Sequence, residues 1–403
     1  MFLLILVFSI LAPVSAAEPM PGDLNGDLTL TREELSTGIL EYLRCTDGNN
    51  CTGSLHAQDM MDAARIYSVW EGRPKQVTDS AGKVHTLNRP LHRVVVMNSE
   101  TLETMRSLDL DQAIVTAVDK YTLQKPEFFP EYATKPSVGS IWAPDYEAIL
   151  SARPDAVFLY ATVSRKECDD IEQQITRADP SITIIRVDCY HPETYLDDVK
   201  ILGEIFDRRE EAGQLGTFYT SILETLDRGL ASDEDGDWPS VYVETWTDFK
   251  SAGPGSGYQD KIEQAGGRNI LEDSAVEYPE VDAEAIIDRQ PAVIVKLVGS
   301  GKYVFGGYSG INTSGFGPAR ESLIARPGWD VIPAVQQGNV YLIHNAILGG
   351  PQYIIGEAYL ARWFHPELYP DLDPSALHRT YLVEFQGLDR RLADPALFVY
   401  PTP

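Results

Sequence analysis

The apolar positions of the chain fall into short continuous runs that alternate with stretches at helical spacing. From residue 77 the pattern opens with a hairpin over 77–87, turning at Ala81-Gly82. Residues 91–97 follow as a strand whose unbroken apolar character suits a parallel sheet covered on both faces. Helices and strands then take turns: helix 101–108, strand 114–118, helix 146–152, strand 156–160, a helix around 167–177 and strand 183–187. Between 192 and 230 the spacing is helical with a break near Asp207, and the second part is long enough to run down the side of two lobes. Strands at 241–244, 293–297 and 340–343 and a helix at 354–364 repeat the rhythm. This pattern predicts an α/β protein: two doubly wound α/β lobes joined by one long helix. The implied boundaries are 74–208 for the first lobe, 209–232 for the connecting helix, 233–370 for the second lobe and 371–403 for a Pro-punctuated tail wrapping the surface.

Two places carry the same local pattern. Glu147-Ala148-Ile149 is followed by Pro154 and an apolar run, and Glu284-Ala285-Ile286 by Pro291 and an apolar run, with Glu and Pro seven apart in both. The copies lie too far apart for a solenoid repeat and fit two versions of one α/β lobe. The second copy belongs to the stretch 252–295, in which a Gly-rich turn, an amphipathic helix, a Gly-Gly stop and a second helix precede a Pro-initiated strand.

The strings AGPGS, IEQAGGRNI, YPEVDAEAII and RPGWDVIPAVQQGNVYLI occur in that order and spacing. Over roughly 77–372 the chain thereby resembles the substrate-binding proteins of iron-siderophore and vitamin B12 ABC importers. The resemblance implies a small-molecule ligand held between the lobes. It also implies that Glu147 and Glu284 dock onto arginines of a membrane permease, a role suited to carboxylates on rigid helices. First-turn acids that favour the helix dipole explain the same residues without a partner.

Ahead of the lobes, residues 18–73 read as a small all-α helical pair. Asp23, Asn25, Asp27, Thr29, Thr31 and Glu34 stand at positions 1, 3, 5, 7, 9 and 12 of a loop with EF-hand calcium spacing, leading into a helical run from 34 to 44. This resembles dockerin-type modules and implies one calcium ion and a cohesin-like scaffold as partner. Leu28 stands where the turn favours Gly, and the second loop, 47–58, lacks acids at two ligand positions. Met60, Ala64, Tyr67 and Trp70 recur at helical spacing and should pack on Leu35, Ile39 and Leu43.

Residues 1–17 read as a cleaved secretory signal, an apolar core ending in Pro13 and small residues, with no basic residue before it. An exported, extracytoplasmic or cell-surface location suits the four cysteines, for which local pairing, Cys45 with Cys51 and Cys168 with Cys189, is the simplest of three connectivities. Asn50-Cys51-Thr52 is a weak glycosylation sequon. With 60 acidic against 33 basic residues and a net charge of −27, the chain is a poor match for nucleic acid or an anionic membrane.

Motifs for metallohydrolases, serine hydrolases, P-loops and redox CxxC pairs are missing, and the seven His lack ligand spacing. No catalysis is expected. In open α/β sheets, ligands meet the loops at the carboxyl ends of the strands. Here those loops carry Asn98, Ser99 and Glu100, then Tyr121, Trp142 and Tyr160, and in the second lobe Thr245, Trp246, Lys296 and Asn345. Aromatic groups on both sides suit a large flat or hydrophobic ligand: ferric siderophore, haem or corrinoid. Lys120, Arg165, Lys296 and Lys302 are candidates to neutralise an anionic chelate, with solvated surface the simpler reading. Residues 253–257 allow an anion cradle or a tight turn. The expectation is a monomeric, non-enzymatic ABC-importer component that delivers a metal chelate to its permease. The alternative is a dockerin-tethered interaction protein on the same scaffold; a cluster-bearing enzyme lacks suitably placed Cys.

Overall fold

The computed structural model describes residues 19–46, 56–232, 236, 238–309 and 312–402. The signal expected at 1–17, the pairing of Cys45 with Cys51, the sequon and nearly all of the second N-terminal loop lie outside the described residues.

The N-terminal pair is α1 (Arg32–Thr46) and α2 (Ala57–Val69), followed by a hairpin of β1 (Lys75–Thr78) and β2 (Val84–Leu87). The first lobe runs β3 (Val94–Val96), α3 (Ser99–Ser107), β4 (Val115–Val118), the short strands β5 (Gly139–Ser140) and β6 (Ala143–Pro144), α4 (Tyr146–Ser151), β7 (Ala156–Leu159), α5 (Arg165–Ala178) and β8 (Thr183–Arg186). Next come α6 (Tyr195–Phe206) and α7 (Arg209–Ala231). The second lobe contains β9 (Ser240–Glu244), α8 (Tyr258–Gln264), β10 (Arg268–Asn269), α9 (Ala283–Arg289), β11 (Val293–Val298), α10 (Phe316–Ile324), α11 (Pro333–Gln337), β12 (Val340–His344) and α12 (Tyr353–Phe364). The chain closes with α13 (Pro374–Thr380) and β13 (Val399–Tyr400).

The duplication read from the two Glu…Pro motifs is built into the sheets. The first sheet has the parallel order β4-β3-β7-β8, and the second has β10-β9-β11-β12, with β13 added antiparallel at the edge. Each motif supplies the helix before the third strand in that order, α4 before β7 and α9 before β11. The central strands are buried along their whole length, as apolar runs in a sheet covered on both faces require.

Asp207 explains the break before the long helix. It ends α6 in the left-handed region (φ 57°), and α7 starts two residues later. Its carboxylate accepts from Arg65 (2.7 Å), Lys75 and the Trp70 indole N–H. Asp62, buried on α2, accepts from Arg89 (2.6 Å) and His92 (2.7 Å). Through these two carboxylates the N-terminal pair is fastened to the first lobe. This fastening selects the packing face: α2 buries Met60, Ala63, Ile66 and, just beyond it, Trp70, whereas the expected Ala64 and Tyr67 are exposed. On α1, Leu35 is half-buried but Ile39 and Leu43 are exposed, so the expected stripe is corrected on both helices. The chain just beyond α2 is packed as well: Gly72 comes so close to the Leu30 carbonyl that a Cβ would sit 2.5 Å from it.

Two further expectations change. Cys168 and Cys189 are both free and buried. Cys168 packs with Ile171 and Ile175 on one face of the first sheet, and Cys189 packs in the other core with Tyr195, so the sheet separates the thiols. The tail does not wrap the surface. Tyr381 is fully buried and donates to Glu103 of α3 at 2.8 Å, Gln386 bonds to Arg106 and Ser107, and β13 extends the second sheet.

Candidate functional site

The lobes meet where strand ends of one face loops of the other. Gln352, next to α12, donates to Glu103 of α3 at 2.8 Å, and Phe128 stacks on Tyr308 with ring centroids 4.3 Å apart. A side chain at Gly350 would begin 3.9 Å from Glu100, and one at Gly257 would begin 3.4 Å from His191.

At this junction the first lobe presents Tyr160, from the end of β7, and Tyr190 and His191, from the end of β8. The Tyr160 hydroxyl donates to Glu100 at 2.7 Å, Tyr160 and Tyr190 meet edge to face at 6.3 Å, and the rings of Tyr190 and His191 lie 4.0 Å apart. Opposite stand Tyr258, whose hydroxyl donates to Asn345, and Tyr278, whose hydroxyl donates to the Ser256 carbonyl at 3.2 Å. Burial raises the pKa of the Tyr190 and Tyr258 hydroxyls, Tyr278 is close enough to raise both further, and Tyr190 adds to the rise at Tyr258. Burial also pushes the His191 imidazole down, which favours its neutral form. The result is an aromatic cleft with hydroxyl, imidazole, amide and carboxylate groups, suited to gripping a ligand by stacking and directed hydrogen bonds.

Of the expected ligand residues, Tyr160 and Asn345 are in this cleft. Trp142 (58% exposed) and Tyr121 (39% exposed) pair edge to face at 6.1 Å on the first lobe, and the Trp142 indole donates to Ser164 at 2.9 Å. Trp246 is half-buried against the core beside Gly301. The others serve the scaffold. Asn98 caps α3, accepting from the Thr101 N–H at 2.7 Å, and Ser99 is buried with its hydroxyl next to the Lys125 ammonium. Thr245 is buried and bonds to the Lys250 carbonyl.

Lys296 is not a ligand residue. It is 1% exposed and donates to Glu244 (2.7 Å) and the Thr245 carbonyl, with Arg326 on the other side of Glu244 at 2.6 Å. Burial pushes the Glu244 carboxyl up, but Arg326 and Lys296 outweigh it and hold it below its ordinary range. Lys302 is likewise tied to Asp248. The 253–257 glycines form a turn, in which the Ser256 hydroxyl takes the Tyr258 N–H.

Sequence reasoning passes over Tyr190, His191, Tyr258 and Tyr278. A signal exists for the first two, which directly follow a predicted strand, as a ligand loop should.

Glu147 and Glu284 are exposed in the first turns of α4 and α9, in equivalent places of the two lobes, and neither makes an ion pair with a described residue. In the N-terminal loop Asp23 accepts from Gly26 and Leu28, Asn25 from Asp27, and Asp27 from Thr29. Glu34 accepts from Leu24 and Thr31. Leu28 takes φ +60°, the conformation for which Gly is the usual residue. Among the described residues no group of three or more His, Cys, Asp or Glu is placed to hold a metal ion.

A family model described as "Periplasmic binding protein" matches residues 94–347. No curated protein matches the sequence. Among solved structures, a TroA-like periplasmic binding protein, FepB, from Veillonella parvula is 22% identical with a TM-score of 0.66, covering 78% of this chain and 97% of that one. The molybdate-binding MolA of Haemophilus influenzae is 19% identical with a TM-score of 0.61, over 78% of this chain and 98% of that one. A periplasmic haem-binding protein from Pseudomonas aeruginosa is 20% identical with a TM-score of 0.53, over 69% and 94%. At these identities the likeness is one of fold.

Proposed function

The chain belongs to the periplasmic binding protein family, and on that premise we propose that it is the extracytoplasmic substrate-binding component of an ABC importer, capturing a metal chelate between its lobes. The family's work is capture and delivery of a solute without chemical change. The observation that carries the reading is the aromatic cleft. Tyr160, Tyr190 and His191 on one lobe face Tyr258 and Tyr278 on the other, giving broad ring surfaces with few torsions to freeze and polar tips to orient a ligand. A ferric siderophore, haem or corrinoid fits that chemistry. The apolar leader pattern at 1–17 supports export, and no described helix is long and apolar enough to cross a membrane.

Delivery rests on Glu147 and Glu284. Two exposed carboxylates without ion-pair partners among the described residues, one per lobe at matching helix starts, form a two-point surface for arginines of a permease. The double variant Glu147→Lys/Glu284→Lys should bind ligand as the wild type does and lose most stimulation of the reconstituted transporter's ATPase. Full stimulation by the variant would remove this docking role.

At the 23–34 loop, calcium is supported by residue spacing and by the contact that folds Glu34 back to Leu24. A rise in Tm on adding millimolar calcium, reversed by EGTA, is expected; an unchanged Tm would assign the loop to its own hydrogen bonds alone.

A further inference from the structure

We propose that the cleft selects its ligand by charge, accepting neutral or cationic chelates over anionic ones, with Glu100 as the selecting residue; this rests on the importer reading above. Glu100 lies in the first turn of α3, half-buried at the lobe junction. One carboxylate oxygen accepts from Tyr160 at 2.7 Å, and the other has no hydrogen-bond partner among the described residues. Its field reaches the surrounding groups. Asp119 behind it is pushed up by burial and by Glu100, and Tyr160 is pushed up by the same two causes.

Most of the basic groups nearby are held by other partners; the exception is Lys125, whose field reaches Glu103 and His344. Lys261 is buried against the rings of Tyr258 and Tyr353, 4.9 and 5.7 Å from their centroids. Lys296 and Arg326 are spent on Glu244, and Lys302 on Asp248. Lys125 donates to Ser99 at 3.2 Å, and Lys120 lies 5.0 Å over the Tyr121 ring, on the Trp142 side of the first lobe. Glu193, just after His191, and Asp260, across the junction, add two more acids, close enough that Asp260 is raised by burial and then by Glu193.

A half-desolvated carboxylate with one open oxygen rewards a ligand that brings an N–H donor or a positive charge. It penalises one that brings a negative charge, and that penalty is what gives discrimination between ligands of similar shape. Molybdate and the propionates of haem, the ligands for which two structural relatives are named, are anionic. The cleft of this chain is built for the opposite sign.

The test is calorimetric titration of the full mature chain with three ferric probes: a linear trihydroxamate with a free amine (monocationic), its N-acetylated neutral form, and a tris-catecholate (trianionic). The wild type should bind the first two at least about tenfold more tightly than the third. Glu100→Gln should narrow that ratio about tenfold by weakening the cationic probe, whereas Tyr160→Phe, which keeps the carboxylate, should preserve the order. Preference for the trianion, or a ratio unchanged in Glu100→Gln, would overturn the charge inference while leaving chelate capture intact. If no probe saturates the wild type, the ferric-siderophore form of the importer reading falls, and this inference with it. Because the order among probes is read in the wild type, a poorly folding variant does not shield the proposal.

Discussion

At the scale of single residues, side chains of the same chemical type have separated into scaffold and site. Lys296 lies within β11 toward its carboxyl end and Glu100 follows the end of β3, yet one is locked in an ion-pair cluster and the other opens onto the cleft. Sequence spacing places both at the right end of the sheet; burial, which spacing does not reveal, decides between them. Glu103 shows the same hidden control. Burial pushes its carboxyl from 4.5 to about 7, against the hydrogen bonds from Tyr381 and Gln352. The folded chain therefore favours the protonated form. Its stabilisation is fully present below pH 4.5 and is lost as pH rises through about 7. Two buried histidines oppose this trend, since His344 is pushed down to about 4 and His378 to about 3 by burial. The comparison with Glu103→Gln cancels them. Between pH 5 and pH 8 the unfolding free energy of Glu103→Gln should gain up to about 3 kcal/mol on the wild type. Parallel urea-denaturation curves at both pH values, with no such gain, would contradict the assignment.

Among elements, the strongly periodic ones were legible and the docked ones were not. Apolar runs locate β3, β7, β9, β11 and β12, and the break at Asp207 with a long helix beyond it is present as expected. The face of α2 was misread because a buried acid, Asp62, sits on the packed side, where a hydrophobic pattern gives no hint of it. The tail was misread because its Pro-rich stretches look like surface, while the Tyr381 and Phe398 rings fill the core. Asp207 tests how the N-terminal pair is attached. Its carboxyl is pushed up by burial but held below its ordinary range by Lys75, Trp70 and Arg65. Asp207→Ala strands Lys75 in a buried position and should cost about 3 kcal/mol. It should also open residues 70–75 to limited proteolysis; an unchanged digestion pattern would mean that apolar packing alone holds the pair.

For the whole molecule, two lobes of one sheet order are joined by a side-mounted helix and a tail that contacts both. Contacts from Glu103 to Gln352 and Tyr381, together with the Phe128–Tyr308 stack, tie the lobes near the cleft. Twin Glu…Pro motifs made the duplication visible in the sequence, whereas the meeting of Tyr190 with Tyr258 and Tyr278 depends on how the lobes approach each other. The most direct test of the account is a fluorescence or calorimetric titration of the wild type, Tyr190→Ala and Tyr278→Ala with a ferric trihydroxamate, cobalamin and haem. Capture in the cleft predicts saturable one-to-one binding of one of these chelates by the wild type, weakened at least about tenfold by either substitution. Flat titrations for all three chelates, or affinity untouched by both substitutions, would contradict it.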